Sequence, residues 1–212
     1  MKLLFIPIIL SFITIATADT IAVLDTDGDV LKPGIEYYIV PGITDVAGGL
    51  TLASRNGSCP LSVAQAPRGG GDGFPVIFTP ANPNAKTVNI GEDTNIAFSA
   101  VTICIQLTVW RLTGPDEVSK WFYVSTGGVT GNPGKNTLSN WFKIEQYMGV
   151  YKLVFCPGVC DVCRPVCGDL TIDVVGDQRW LALSRGSGVD WSTMKEIEME
   201  GVLEAVDFST SQ

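Results

Sequence analysis

Four thiols stand within one short segment, Cys156, Cys160, Cys163 and Cys167, while Cys59 and Cys104 lie far upstream. Two chemistries use such a cluster. Four thiolates can hold a zinc ion, or six cysteines exported to an oxidising compartment can close as disulfides. The N-terminus favours the second. Met1-Lys2 is a short basic start, Leu3 to Ile15 is almost wholly apolar, and Ala16-Thr17-Ala18 has the small-x-small pattern of a signal-peptidase site. Residues 1–18 are therefore expected to be a signal peptide, with the mature chain starting near Asp19. The apolar run is shorter than the ~20 residues that span a bilayer, which argues against an anchor. Disulfides, and no metal or cofactor, are the expectation.

Composition removes further chemistry. The chain contains no histidine, so it has neither a Ser-His-Asp or Cys-His catalytic pair nor a histidine zinc site. The formal net charge is −8 at pH 7, and no basic cluster interrupts it. Nucleic acid and anionic membranes are poor partners for such a surface. Asp25, Asp27 and Asp29 alternate as in a calcium loop but lack the downstream bidentate Glu at the required spacing. They read as turn and edge residues.

The elements that would position any site are short. The 23 Gly and 12 Pro recur at close intervals. Between them lie β-branched and aromatic runs such as Glu36–Val40, Val76–Thr79, Asn95–Phe98, Leu107–Trp110, Trp121–Val124, Trp141–Ile144 and Tyr151–Phe155. Runs of this kind predict an all-β barrel or sandwich. Helical periodicity has a single candidate, Thr193 to Val206, whose alternation suits a strand equally well. Residues 19–212 read as a single domain, large enough to bury ~70% of the surface its unfolded chain exposes. Gly69 to Gly73 reads as a surface loop within it.

One motif is long and specific. Val23-Leu24-Asp25-Thr26-Asp27-Gly28-Asp29-Val30-Leu31, followed by Tyr37-Tyr38-Ile39, resembles the N-terminal signature of the soybean-type Kunitz inhibitor family. Asp27-Gly28 suits the turn of a hairpin there. The resemblance continues through Gly48-Gly49-Leu50, Cys59-Pro60-Leu61, Trp141–Ile144, Tyr151–Pro157 and Arg179–Ser184, and so covers essentially the whole mature chain. The segment Gly127 to Gly134 is similar to the miraculin-like branch. The resemblance implies a β-trefoil, with six strands closing a barrel and a hairpin cap of six more around a pseudo-threefold axis. It also implies the pairings Cys59–Cys104, Cys156–Cys167 and Cys160–Cys163, where spacing alone leaves many connectivities open.

Family inhibitors present a rigid, substrate-like loop to a serine protease, so that binding costs little ordering entropy. The matching residues are Thr79, Pro80, Ala81, Asn82, Pro83 and Asn84, with Asn82 at the position that fills the specificity pocket. Asn82 has no charge to pair with the carboxylate of a trypsin pocket. Pro83 lacks an N–H and restricts the residue before it. Pro33 replaces an Asn that braces the loop in strong inhibitors, and a prolyl ring offers no such hydrogen bonds. Lys86 is basic, but using it requires sliding the loop by four residues. Trypsin inhibition is thus not expected. The resemblance implies a secreted, monomeric, non-enzymatic inhibitor of a serine, cysteine or aspartic endopeptidase, acting in defence outside the cell or in a vacuole. The alternatives are a non-inhibitory miraculin-like defence or storage trefoil, or a carbohydrate-binding one.

Two smaller signals remain. Gln178-Arg179-Trp180 matches the Q-x-W pattern of trefoil lectins once, whereas Trp110, Trp121, Trp141 and Trp191 have no Gln two residues earlier. A half-buried tryptophan in a β layer is the plainer reading. Asn56-Gly57-Ser58 is an N-glycosylation sequon in a turn-forming stretch.

Overall fold

The computed structural model describes residues 20–42 and 47–184, together with the backbone of 197–201. The expected signal peptide and Trp191 lie outside the described residues. Twelve strands are numbered in chain order: β1 Glu36–Pro41, β2 Leu50–Ala53, β3 Ser62–Gln65, β4 Val76–Pro80, β5 Thr94–Phe98, β6 Arg111–Thr113, β7 Tyr123–Ser125, β8 Lys143–Tyr147, β9 Val150–Phe155, β10 Gly168–Val175, β11 Gln178–Leu183 and β12 Ile197–Gly201. A short 3-10 helix, Lys135–Asn140, precedes β8. Within the ambiguous Thr193–Val206 segment, β12 is a strand, paired antiparallel with β1 from Tyr37↔Gly201 to Pro41↔Ile197.

Pairing divides these strands into two groups. One group closes on itself. β1 pairs with β4 and β12, β4 with β5, β8 with β9, and β9 with β12. The remaining gap is bridged by reciprocal bonds, Thr94 N–H to Phe142 C=O at 2.8 Å and Phe142 N–H to Thr94 C=O at 2.9 Å. The result is a barrel of β1, β4, β5, β8, β9 and β12. The other group is three hairpins, β2–β3, β6–β7 and β10–β11. Their inner strands meet pairwise at Ser62↔Ser125, Ala182↔Tyr123 and Trp180↔Ala64. Each third of the chain supplies a barrel strand, a hairpin and a second barrel strand, which is the β-trefoil plan.

Burial follows from this plan. β1 and β4 alternate, with Tyr37 and Ile39, and Val76 and Phe78, turned into the barrel, as expected for strands with one core face. β3 and β7 are buried on both faces, because each lies between its hairpin partner and the other two hairpins. A chain of rings, Phe98, Trp110, Phe142 and Phe155, crosses the core with centroid spacings of 5.4, 6.0 and 5.5 Å. Such tilted and edge-on contacts add to area burial. The run Leu107–Trp110 is not a named strand. Val109 makes one isolated bridge to Ala97, and β6 begins only at Arg111. The segment lies beside β5, with Trp110 N–H bonding Ile96 C=O at 2.8 Å and Phe98 N–H bonding Thr108 C=O at 3.3 Å, while on its other side Gly127 N–H bonds Leu107 C=O and Gly128 N–H bonds Val109 C=O.

One buried polar residue ties this loop to the barrel. Asn95, 1% exposed on β5, donates from Nδ2 to Asn140 C=O at 2.8 Å and accepts Gly131 N–H at 2.7 Å. Removing a side chain that satisfies two backbone groups leaves both desolvated and unpaired. Asn95→Ala is expected to cost about 2 kcal/mol, read from denaturant unfolding.

Candidate functional site

Thr79 and Pro80 close β4 opposite Asn95 and Thr94, and Ala81 N–H donates to Asp93 C=O at 2.8 Å. The chain then turns sharply. Asn84 N–H donates to Asn82 Oδ1 at 3.0 Å, and Ala85 N–H donates to Asn82 C=O at 3.1 Å. Asn82 thus uses its side chain to shape an Asx turn. The Asn82 carbonyl is also an acceptor within that turn. Pro33 lies in the turn before β1, where the neighbouring Gly34 N–H bonds Phe78 C=O at 3.3 Å and Lys32 N–H bonds the Tyr37 hydroxyl at 2.9 Å. The bonds around Pro33 hold this turn to β4 and β1. Asn82, Pro83, Asn84 and Lys86 are all exposed.

All six cysteines are paired. Cys59 and Cys104 have Cα atoms 5.7 Å apart across a sequence separation of 45. Cys156–Cys167 encloses Cys160–Cys163, at Cα separations of 4.5 and 5.4 Å. Asn56 is exposed in the segment that leads from β2 to Cys59. The aspartates of the N-terminal motif form a turn: Asp25 Oδ1 accepts the N–H groups of Asp27 at 3.1 Å and Asp29 at 2.8 Å, while Gly28 takes φ 85°. Among the described residues no group of acidic, cysteine or histidine side chains could hold a metal ion.

Trp180 is 5% exposed and packs with Ala64, Tyr123 and Ala182 where the three hairpins meet. Arg179 donates from Nε and Nη2 to Gln65 Oε1 at 3.0 and 2.9 Å. The Q-x-W match is therefore a core tryptophan beside a pinned arginine and offers no stacking face to a sugar.

Beside the hairpin cap, a polar cleft of about 320 Å³ is lined by Arg55, Ser62, Arg111, Asp116, Tyr123 and other residues. Arg55 lies 3.5 Å above the Tyr123 ring and 3.4 Å from Asp116. The Tyr123 hydroxyl donates to Asp173 Oδ2 at 2.5 Å, and burial, reinforced by that acceptor, pushes its pKa up. Asp116 accepts Ser119 N–H at 2.8 Å, the Ser119 hydroxyl at 2.9 Å and Val118 N–H at 3.2 Å. These bonds, Ser119 N–H foremost, hold its carboxyl below the usual value of 3.8. A carboxylate with a depressed folded pKa stabilises above its unfolded value, and that contribution is lost as pH falls through the folded one. The turn of residues 116–119 is thus expected to loosen below pH 3.8. Exchange protection of Ser119 N–H, followed from neutral pH downward, should fall there in the parent and stay flat in Asp116→Asn.

The sequence pattern did not disclose the β5–β6 loop. Val101, Ile103 and Ile105 are 103, 93 and 103% exposed, and Leu107 is 60% exposed. Cys104 between them is 8% exposed. In sequence this alternation is indistinguishable from a half-buried strand. The cysteine at its centre was the available signal that a tether, rather than a sheet, fixes which residues face out.

With this geometry in hand, comparison with known proteins assigns the chain. Residues 23–190 match the Kunitz family described as "Trypsin and protease inhibitor". The chain is 46% identical to miraculin of Synsepalum dulcificum over 172 residues, covering 76% of this chain and 78% of that one. It is 40% identical to Kunitz trypsin inhibitor 5 of Arabidopsis thaliana over 163 residues, covering 76 and 80%. Its fold superimposes on the Kunitz-type cysteine protease inhibitor from potato with a TM-score of 0.72 at 30% identity, covering 88% of this chain and all of that one. The barrel, the three-hairpin cap and these matches agree: the chain belongs to the Kunitz-type trypsin and protease inhibitor family.

Proposed function

We propose that this protein is a secreted, monomeric endopeptidase inhibitor without catalysis of its own, and that trypsin is a poor target for it. Family membership across residues 23–190 carries the first part, and relatives are named as inhibitors of trypsin and of a cysteine protease. The turn at Asn82 carries the second. An uncharged residue, a following proline and a carbonyl already bonded to Ala85 N–H combine three obstacles to productive docking in a trypsin cleft. The Thr79–Asn84 segment keeps the family's position without its trypsin-directed chemistry. An inhibition constant against trypsin weaker than micromolar is the expected outcome; nanomolar binding would show that the reactive bond lies elsewhere than Asn82–Pro83.

The same turn favours one second reading, a non-inhibitory defence or storage trefoil of the miraculin-like kind. A panel of serine, cysteine and aspartic proteases separates the two. Secretion is tested on the protein expressed with its native N-terminus: the exported form should begin near Asp19. Asn56→Gln should remove one glycan's mass from the exported form, read by mass spectrometry.

A further inference from the structure

We infer that the polar cleft beside the hairpin cap binds a small hydroxylated carboxylate, whose carboxylate is held by the Arg111 guanidinium and whose alcohol groups meet the hydroxyls of the cleft. The inference goes beyond the inhibitor reading and does not depend on it.

Arg111, on β6, is half-buried and lines the cleft. Among the described residues its side chain forms no ion pair and no hydrogen bond, and its Nε is buried without a partner. Leaving the donors of a partly buried cation unmatched is costly, and this cation lies beside room for a partner. The cleft encloses about 320 Å³, at the lower end of the ~300–1,000 Å³ that small-molecule sites occupy.

Charge selects the partner. The other cation of the cleft is already committed, since Arg55 lies 3.5 Å above the Tyr123 ring and 3.4 Å from Asp116. Asp116 is satisfied in turn by Ser119 and Val118. Arg55 and Asp116 offset one another, and Arg111 leaves one positive charge over. A ligand with a single negative charge balances it. A phosphate ester, with ~1.5–2 negative charges at neutral pH, brings an excess close to Asp116. A carboxylate also matches the planar fork of a guanidinium through two parallel bonds.

The strands supply the rest of the ligand's description. Arg111 pairs with Ser125 across β6 and β7, and Ser125 pairs with Ser62 across β7 and β3. Cross-strand partners share a face, so these three side chains form one row along the cleft. Ser62 and Ser125 are 7 and 5% exposed. Ser125 Oγ donates to Thr113 Oγ1 at 3.3 Å, and Thr113 Oγ1 donates to Tyr123 C=O at 3.0 Å. With its proton directed to Thr113, Ser125 Oγ offers lone pairs to an incoming hydroxyl. An apolar acid would leave these oxygens unmatched, whereas a hydroxy acid meets them.

The test uses the mature full-length protein with gluconate as probe, and with acetate, glucose and inorganic phosphate as comparisons. Isothermal titration reads affinity, and NMR reads the Arg111 Nε–H. Gluconate is expected to bind one-to-one and to shift the Nε–H resonance, which gains a partner. Acetate and glucose each lack half of the match and should bind at least about tenfold more weakly. Arg111→Gln should weaken gluconate binding at least about tenfold, with Arg111→Lys, which keeps the charge without the fork, in between. The resonance shift needs no variant, so it decides the matter even where Arg111→Gln unfolds. Asn56 lies at the cleft, so gluconate is titrated into both the exported form and Asn56→Gln, and binding to both is expected. Equal binding of acetate and gluconate overturns the assignment of the hydroxyls. Tighter binding of phosphate overturns the choice of a carboxylate. Binding by Asn56→Gln alone overturns the site for the exported protein. Glucose bound as well as gluconate, an unmoved Nε–H resonance, full binding by folded Arg111→Gln, or no binding of gluconate overturns the inference as a whole.

Discussion

Replacing Cys59 and Cys104 together by serine is expected to lower the unfolding free energy by about 4 kcal/mol, the largest stability effect among the changes considered. The bridge joins residues 45 apart in sequence, and a link that closes a long loop removes much entropy from the unfolded chain. For a domain of this size the loss corresponds to a fall in Tm of roughly 8–16 °C. The bridge also joins two segments that the sheet does not hold directly. Cys59 precedes β3, in the cap, and Cys104 lies between β5, in the barrel, and β6. Its loss should therefore act twice, once on global unfolding and once on the aliphatic loop, whose protease resistance should fall under native conditions. Serine at both positions avoids a free thiol that would confuse the result. A change of less than 1 kcal/mol would mean that the unfolded chain is already compact around this loop. By comparison, removing Cys160–Cys163, separated by only 3 positions, should matter less.

The second large effect concerns repair of the β4–β5 turn. The triple variant Pro33→Asn/Asn82→Arg/Pro83→Ile is expected to bind trypsin at least about a hundredfold more tightly than the parent, or ~2.8 kcal/mol. Asn82→Arg supplies the cation that a trypsin pocket pairs with, and one well-buried charged anchor can dominate an interface. It also removes the Oδ1 acceptor that holds Asn84 N–H at 3.0 Å, loosening the Asx turn. Pro83→Ile restores an N–H and frees the preceding residue from the restriction a proline imposes. Pro33→Asn places an amide in the turn that packs against β4. The single variant Asn82→Arg should gain little, because Pro83 still sets the approach of the chain. Equal gains from the single and triple variants would show that charge alone was missing.

Much of the architecture was legible because it is local. Asp27-Gly28 marks a turn, and the structure has one there, closed by Asp25. Glu36–Val40 and Val76–Thr79 read as strands by β-branched and aromatic content, and they coincide with β1 and β4 apart from a terminal residue. The trefoil itself came from the family motif and not from these runs, since period and turn chemistry cannot say which strands close a barrel. That closure depends on Thr94 meeting Phe142, a contact no spacing announces. Leu107–Trp110 reads as a strand and does run beside β5, through Thr108 and Trp110. Its Leu107 and Val109 carbonyls are taken by the Gly127–Gly128 backbone, so tertiary context limits the pairing to a single bridge. The aliphatic loop was hidden by ambiguity of the alternating pattern, which does not state whether its apolar face meets a core or water. The Asn82 turn was half legible: residue types argued against trypsin, while the bond from Ala85 N–H that occupies the carbonyl appears only in the structure.

The central claim is that this Kunitz-family trefoil blocks an endopeptidase other than trypsin. Its most direct test is a set of inhibition constants for the mature protein against trypsin and against representative non-trypsin serine, cysteine and aspartic endopeptidases, each titrated to stoichiometry. The account predicts tight one-to-one inhibition of at least one non-trypsin enzyme and weak or absent inhibition of trypsin. Tight inhibition of trypsin with cleavage after Asn82 or Lys86, or no inhibition of any class by correctly disulfide-bonded protein, would contradict it.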